Sequence, residues 1–188
     1  EKELPFTDVK KSDWSYKAIK YMYGNKYISG TTSTTFSPKM KLTRGMLVTI
    51  LHNMEGKPNV SGKSKFPDVQ NTNEYYYSAV KWASKNNIVN GYNNGKFGPN
   101  DPITREQLAV MLNQYSIYKG TYKKTNADFT KFSDSNKISD FAKWGMNWAV
   151  GTGVITGTTE KTLIPQGTAS REEAAAMIYK YFLSLKNS

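Results

Sequence analysis

The chain has 188 residues, of which 38% are hydrophobic and 13% aromatic, and it contains no cysteine. This hydrophobic content is sufficient for a packed core, and the absence of cysteine excludes disulfides and thiolate chemistry. The net charge of +11 suggests a polyanionic partner (nucleic acid, an anionic membrane or an acidic polysaccharide), although a lysine-rich solvated surface would carry the same charge.

Four short features recur three times along the chain, with a period of about 60 to 66 residues. In chain order they are Phe-x-Asp, a β-branched residue before a polar residue and glycine, an apolar-x-proline segment, and a single arginine. The glycine-to-arginine spacing is 14 residues in every copy. Three repeats are therefore predicted, at residues 1–61, 62–125 and 126–188.

Each repeat is predicted to contain two helices. The first covers roughly residues 14–27, 75–87 and 140–152, where apolar residues recur at helical spacing. The second begins at each arginine and carries one apolar stripe with i, i+3, i+4, i+7 spacing. Because two amphipathic helices cannot close a core alone, the copies should pack around a shared helical core. The predicted fold is mainly α, with three tandem helix-loop-helix repeats in one pseudo-threefold domain.

All three arginines occupy the same repeat position, although the chain has 26 basic residues. Thr104 and Ser170 precede two of them in capping-box sequences. An arginine at a helix start places its planar, bidentate guanidinium beside free backbone N–H groups, which together suit an anion. Two interpretations remain open. Each arginine binds an anionic ligand, or it pairs with the aspartate of a Phe-x-Asp as a clamp between repeats, and the two roles are compatible.

Together these features resemble the S-layer homology module. The resemblance is carried by Phe-x-Asp, the aromatic-bearing first helix, Ile/Val-x-Gly, Phe-x-Pro and the Thr-Arg-Glu-like start of the second helix. It implies a pseudo-trimer with one helix of each copy in a central three-helix bundle. It also implies that grooves between adjacent lobes bind secondary cell-wall polysaccharide, often bearing pyruvylated N-acetylmannosamine. The chain would then be a monomeric module of a larger surface protein, in the cell wall or S-layer of a Gram-positive-type bacterium.

The resemblance makes a defined set of residues candidates for ligand binding. A pyruvate ketal presents a carboxylate, which suits an arginine at a helix start. Copy one has Gly45-Met46 after its arginine and copy three departs at Ala169-Ser170, so we expect inequivalent grooves, with Arg44 and Arg105 ahead of Arg171. The complete candidate set is Arg44, Arg105, Arg171, Gly30, Gly91, Gly157, Asp8, Asp68, Asp134, Trp14, Tyr75, Lys20 and Lys81.

Several of these candidates also have a structural interpretation. The three glycines either supply a positive φ after a helix or clear space for a ligand at the backbone. The aligned residues Tyr21, Trp82 and Trp148 fall in the apolar stripe and are expected in the core. Trp14, Tyr75 and Phe141 align at the start of the first helix, where an exposed ring can pack on a sugar. Lys20 and Lys81 align as anion contacts, although solvated lysines are common.

Other function classes remain as alternatives. His52 is the single histidine, and the sequence suggests no Ser-His-Asp set, metal-ligand cluster or carboxylate pair, so we expect no enzyme activity, metal or cofactor. No run approaches 18 apolar residues, and no membrane partner is expected. The segment Glu1–Pro5 is no signal peptide, which suggests a mature protein or a fragment.

A protein–protein lattice module is the first alternative to the anchoring function. A nucleic-acid binder is the second, and it is disfavoured because the basic residues are dispersed. Salt dependence separates the classes, since nucleic-acid affinity falls steeply with salt, whereas binding in a sugar pocket should resist it better. A lattice module would bind its own chain and be indifferent to glycan.

Overall fold

The computed structural model describes residues 3–186 and contains six α-helices and two single-turn 3-10 helices in that range. The α-helices are α1 (Tyr16–Gly24), α2 (Arg44–Met54), α3 (Tyr77–Lys85), α4 (Arg105–Tyr118), α5 (Lys143–Gly151) and α6 (Arg171–Lys186). The 3-10 turns, Ser135–Lys137 and Asp140–Ala142, precede α5. The described part of the chain has no strand, so the mainly α prediction is confirmed. In residues 3–186 no helix is both long and apolar enough to cross a membrane.

The sequence located the second helix of each repeat more accurately than the first. The helices α2, α4 and α6 begin at the three arginines, as predicted. The Thr104 hydroxyl accepts from the Gln107 N–H, and the Gln107 side chain accepts from the Thr104 N–H, each at 3.2 Å. Ser170 and Glu173 form the same reciprocal pair. The first helices are shorter than predicted, because turn residues, or a 3-10 helix at the start of the third range, occupy the ends of the predicted ranges.

Helices of different repeats pack against each other. The second repeat contributes α3, which packs on α2 of the first repeat, and the third contributes α5, which packs on α4 of the second. Helix α1 of the first repeat closes the circle by packing on α6 of the third. Each lobe is therefore built from two repeats, and its apolar contacts depend on both.

The repeats meet in a closed ring of three backbone hydrogen bonds. The Leu42 N–H donates to the Ala169 carbonyl at 2.9 Å, the Ile103 N–H to the Leu42 carbonyl at 2.8 Å, and the Ala169 N–H to the Ile103 carbonyl at 3.0 Å. All three residues are fully buried. Because each donates to one neighbouring repeat and accepts from the other, the buried peptide groups satisfy each other completely around the pseudo-threefold axis.

The second helices start two residues after this ring and form the core. Their apolar stripes are buried, with no accessible surface at Leu47, Leu51, Leu108, Leu112, Ala174 and Ile178. Contacts between these helices extend to their far ends, where the Tyr115 hydroxyl donates to Glu55 at 2.5 Å and the Tyr115 ring lies 6.0 Å from that of Tyr181. Trp82 and Trp148 are buried as expected, while Tyr21 is half-buried.

The first amides of the second helices are already hydrogen-bonded. The N–H groups of Arg44 and Gly45 donate to the carbonyls of Asp101 and Pro99 in the next repeat, at 3.0 and 2.8 Å. The same pairs recur as Arg105 with Gly167, Glu106 with Pro165, Arg171 with Met40 and Glu172 with Pro38. The prediction that these amides are free to bind an anion is therefore wrong, because a neighbouring loop uses them.

The glycine of each repeat packs against the phenylalanine of its own Phe-x-Asp. A Cβ on Gly91 would lie 2.5 Å from Cε1 of Phe66, and a Cβ on Gly30 would lie 2.5 Å from Cε1 of Phe6. Gly91 has a φ of +79° and Gly157 of +98°, whereas Gly30 has no positive φ. A positive φ thus explains why glycine is needed at Gly91 and Gly157. At all three positions the phenylalanine ring fills the space that a side chain would need.

We predict that Gly91→Ala destabilises the fold more than Gly95→Ala. Both glycines have a φ near +80°, but a Cβ at Gly95 meets no atom within 4 Å. Gly95→Ala should therefore lower the free energy of unfolding by about 1 kcal/mol through backbone strain alone. Gly91→Ala should cost about 2–4 kcal/mol, because its methyl group also displaces the Phe66 ring. Urea unfolding measures both values, and equal losses would contradict the packing role.

Candidate functional site

Each arginine side chain is buried at a junction between two repeats. Arg44, Arg105 and Arg171 are only 4%, 5% and 6% exposed. Their Nε atoms donate to the carbonyls of Phe97, Leu163 and Phe36, respectively, each at 2.9 Å. These acceptors are the apolar residues of the apolar-x-proline segments, and in every case they belong to the following repeat in the circle.

The aspartate of Phe-x-Asp holds the same loop residue from its other side. Asp68 accepts from the N–H groups of Phe97 and Gly98 at 2.9 and 2.7 Å. Asp8 binds Phe36 and Ser37, and Asp134 binds Leu163 and Ile164, in the same way. An arginine and an aspartate from different repeats thus hold one loop residue between them. This supports the clamp interpretation, with that residue between the two charged groups instead of a direct ion pair.

Groove A is a cleft of about 420 Å³ beside Arg44. It is lined by Arg44, the loop 88–93, four residues of α4 (Gln107, Val110, Met111 and Gln114) and Phe141 of the third repeat. The guanidinium lies 4.4 Å from the Tyr92 ring centre and 4.9 Å from that of Phe97. Among residues 3–186, no protein acceptor is found for the terminal Nη groups of Arg44.

Burial lowers the pKa of the Arg44 guanidinium, while nearby Tyr92 and Asp101 favour its charged form. An arginine pKa starts so high that the side chain stays protonated at physiological pH. The residues that line groove A are otherwise neutral, and several end in an amide. Groove A therefore presents one fixed cation surrounded by amide donors and acceptors.

Groove B is the corresponding cleft of about 350 Å³ beside Arg105. Its lining includes Arg105, Thr156, Gly157, Glu173, Lys180 and Trp14. The Nη1 atom of Arg105 lies 3.6 Å from Oε1 of Glu173, and the Lys180 ammonium donates to Thr156 at 3.0 Å. Burial, together with the charge of Arg105, lowers the pKa of Lys180. Groove B thus carries two cations and one carboxylate, which makes it electrostatically different from groove A.

The chain itself engages the third arginine more fully. The Nη2 atom of Arg171 donates to the Ser29 carbonyl at 2.6 Å, in addition to the Nε bond to Phe36. Asn53, which occupies the position of Gln114 and Lys180, donates its amide to the Tyr27 carbonyl at 3.0 Å. Two groups that line a groove in the other copies are therefore bonded to backbone in the third.

The remaining candidates divide between groove rims and other surfaces. Trp14, Tyr75 and Phe141 are 62%, 55% and 62% exposed. Trp14 lines groove B and Phe141 lines groove A. Burial lowers the pKa of Arg171, and nearby Asp8 and Tyr75 act in the opposite direction, which places Tyr75 close to the third arginine.

The two lysine candidates lie elsewhere. Lys81 donates to the Gly62 carbonyl at 2.8 Å and lies over the Tyr77 ring, outside both linings. Lys20 lies on α1 and is absent from both linings as well. The sequence analysis did not identify the groove residues Asn90, Gln114 and Lys180. Each lies at a constant number of residues from the repeated glycine or arginine of its copy, and this spacing could have identified them.

The acidic residue after the arginine joins the repeats in two copies and is replaced by packing in the first. Buried Glu106 accepts from the N–H and hydroxyl of Ser139 at 3.0 and 2.7 Å. Buried Glu172 accepts from the Ser15 hydroxyl at 2.8 Å and from Lys39. At Gly45 a Cβ would lie 3.2 Å from the Tyr76 ring, which fills the space that the glutamate side chain occupies elsewhere. The missing acid of copy one therefore leaves its junction intact.

Comparison with known proteins gives a consistent result. The S-layer homology domain matches residues 5–45, 65–109 and 131–175. An endoglucanase of Bacillus sp. (strain KSM-635) is 34% identical over 93% of this chain and 18% of its own length. A surface-layer 125 kDa protein of Lysinibacillus sphaericus is 31% identical over 88% of this chain and 14% of its own. A cellulosome-anchoring protein of Acetivibrio thermocellus is 24% identical over 81% of this chain and 34% of its own length. The chain thus spans a minor part of each relative.

We predict that the Asp134 clamp makes stability depend on pH. Burial acts to raise the pKa of Asp134, but the N–H groups of Leu163 and Ile164 outweigh it and hold the pKa below its usual value. A depressed folded-state pKa stabilises the fold above the unfolded-state pKa of about 4 and loses that effect as pH falls through the folded-state pKa. Asp134→Asn should cost about 1–3 kcal/mol at pH 7.

The measurement is urea unfolding from pH 7 down to pH 3. Asp134→Asn should lose less stability than wild type over this interval, because its side chain no longer titrates. Exposed Glu160 provides a surface control through Glu160→Gln. An unchanged pH dependence in Asp134→Asn would show that the carboxylate contributes nothing as an anion.

Proposed function

Because the chain belongs to the S-layer homology domain family, it is a cell-wall anchoring module, and we propose that grooves A and B bind an anionic, pyruvylated secondary cell-wall polysaccharide. The observation that carries this proposal is the pair of grooves that each contain a buried, oriented guanidinium. A pyruvate ketal supplies the carboxylate that such a group recognises. The binding is noncatalytic, and the chain's role is to hold a larger protein at the cell surface.

The arginine geometry favours a carboxylate over a diffuse polyanion. The Nε bond to a backbone carbonyl fixes the plane of the guanidinium before any ligand arrives. This leaves the Nη groups of Arg44 available for bidentate donation, with little side-chain entropy still to lose. Burial strengthens the interaction, since a partly desolvated charge is weakly screened by salt. A ligand bound here should therefore resist salt better than a nucleic acid on a lysine-rich surface.

The rest of each groove suits a sugar. Groove A offers the amide side chains of Asn90, Gln107 and Gln114, which can pair with hydroxyl and N-acetyl groups. An exposed ring stands at each rim, Phe141 at groove A and Trp14 at groove B. Polar groups at the base with an aromatic ring at the edge are typical of a small-ligand site.

The three arginine positions are proposed to differ in function. Arg44 and Arg105 bind ligand and also clamp the repeats, while Arg171, whose Nη2 is bonded to Ser29, serves chiefly as a clamp. The carboxylates of Asp8, Asp68 and Asp134 are not proposed to contact the ligand, because both oxygens of each already accept hydrogen bonds from backbone amides. Gly91 and Gly157 line the grooves through their backbone.

An anchoring role without catalysis agrees with the similarity to much longer proteins. The endoglucanase shares only 18% of its length with this chain, and the cellulosome-anchoring protein 34%. Within residues 3–186, no group of three or more His, Cys, Asp or Glu residues is placed to hold a metal ion. We infer a location on the outer surface of a Gram-positive-type bacterium, with the attached domains supplying any activity.

We predict that one carboxylate added to a groove prevents that groove from binding the polysaccharide. Asn90 and Thr156 stand directly before the groove glycines, so Asn90→Asp and Thr156→Asp place an acid near Arg44 or Arg105 and leave the clamps untouched. Each change should lower the affinity of its groove for pyruvylated wall polysaccharide at least about tenfold, because like charges repel. The double variant should not bind.

Ser29→Asp is the matched control, since it occupies the same repeat position beside Arg171. Calorimetric titration should give wild-type binding for Ser29→Asp and about half the sites for each single groove variant. Thermal unfolding of all variants checks that the clamps are intact. Wild-type affinity in the folded double variant would refute binding in the grooves.

A further inference from the structure

The third repeat carries an exposed aromatic pair that the clamps and grooves do not use. Trp144, on the first turn of α5, is 47% exposed. Its Nε1 donates to the Tyr122 hydroxyl at 3.2 Å, and the two rings lie 5.4 Å apart with planes inclined by 47°. The other repeats have Lys17 and Ser78 at the position of Trp144. The pair is therefore specific to one lobe.

The surrounding contacts hold this pair in place. Tyr122 lies in the linker after α4, and Asn147 of α5 secures that linker. The Asn147 amide donates to the Thr125 carbonyl at 2.8 Å and accepts from the Ala127 N–H at 2.9 Å. The polar edge of the indole is satisfied by Tyr122, so a fixed aromatic surface remains open to solvent. A preorganised ring loses little entropy when a ligand packs on it.

The pair is continuous with groove A. Phe141, which lines groove A, precedes Trp144 by one turn and is 62% exposed. Gly145, the neighbour of Trp144, packs so closely on Val110 of the groove lining that a Cβ there would lie 2.8 Å from the Val110 Cα. Phe141 and Trp144 are three residues apart at the start of α5, which is close to one helical turn, and the Trp144 ring contacts Tyr122. Phe141, Trp144 and Tyr122 are called the aromatic strip, and Phe141 is its member that lines groove A.

We propose that the aromatic strip is a second subsite, which stacks the next sugar ring of a polymer whose carboxylate-bearing sugar occupies groove A. This inference rests on the proposed function, and it adds that the neighbouring sugar of the polymer is recognised outside the groove. A flat ring with a polar edge suits the C–H face of a pyranose, since one side is apolar and the other wet. The linker 119–126 contains three lysines and no acidic residue. Lys119 is paired with Glu55 at 3.0 Å, and the positive charge that remains favours an anionic chain.

The two grooves should consequently differ in how they respond to ligand length. Groove B has Trp14 at its rim, but Lys17 occupies the position that follows it where groove A has Trp144. A longer ligand should therefore gain affinity at groove A through the strip, while groove B reads mainly one sugar. Binding of two linked sugars raises affinity without any change in the groove itself.

The test compares a short and a long ligand on a single-groove protein. The Thr156→Asp variant, in which groove B should not bind, is the reference protein. It is compared with the double variant that also carries Trp144→Ala. The probes are the methyl glycoside of pyruvylated N-acetylmannosamine and purified pyruvylated wall polysaccharide. Trp144→Ala should weaken polysaccharide binding about tenfold, as expected for one lost aromatic contact, and should change the affinity for the glycoside less than twofold. Lys17→Ala and Ser78→Ala, at the same repeat position, should change neither.

The affinity losses of Trp144→Ala for the two probes distinguish a separate subsite from a supporting role. Equal losses for both probes would mean that Trp144 supports groove A and is no separate subsite, and unchanged polysaccharide binding would mean that the strip is unused. Trp144→Ser, which copies the second repeat, replaces the alanine variant if that one unfolds early. If the groove B-silenced protein binds neither probe, the proposed binding in groove A fails together with the subsite. If Asn90→Asp, added to Thr156→Asp, abolishes binding but Trp144→Ala in the same background does not weaken it, only the subsite is refuted.

Discussion

The architecture depends on one repeated constraint, a loop residue held between an arginine of one repeat and an aspartate of the next. The Phe97 carbonyl accepts from Arg44 and its N–H donates to Asp68, both at 2.9 Å. Burying a guanidinium is costly unless its donors are satisfied, and this residue satisfies Nε while positioning the loop. The same loop then supplies carbonyls to the first amides of the helix that carries the arginine. Helix start, loop and groove wall are therefore fixed together, and closure of the backbone ring requires all three repeats.

This constraint also explains how one residue serves stability and recognition. The Nε atom and the aliphatic part of each arginine pack in the junction between two repeats. The terminal Nη atoms face groups that differ from one copy to the next. Arg44 lies beside amide side chains of α4 and the loop 88–93, and Arg105 lies beside Glu173 and Lys180 of α6. The Nη2 atom of Arg171 donates to the Ser29 carbonyl instead. Three copies of one clamp thus yield three different environments. Replacement of the glutamate by Gly45 and Tyr76 in the first copy shows that a junction can change its chemistry while its geometry is retained.

Local features of the sequence were enough to predict the repeats and the second helices, because capping boxes and apolar stripes are encoded within a few residues. The capping partners of Thr104 and Ser170 lie three positions away and could be identified directly. Long-range partners could not be predicted in the same way. The acceptor of each arginine lies in another repeat, so spacing gave no reason to doubt that the helix amides were free. The pairing of α1 with α6, and of Gly91 with Phe66, depends on tertiary packing. The groove positions Asn90 and Lys180 were missed, although their constant offsets from the repeated glycine and arginine could have identified them.

The most direct test of the account is calorimetric titration of this chain with purified pyruvylated wall polysaccharide, in parallel with the same polymer after chemical depyruvylation. If the guanidinium groups in grooves A and B read the ketal carboxylate, only the pyruvylated polymer should bind, with two sites per chain and modest salt dependence. Equal binding of both polymers would contradict the central claim, since the wall polymer would then be recognised without the carboxylate that the arginines are positioned to bind.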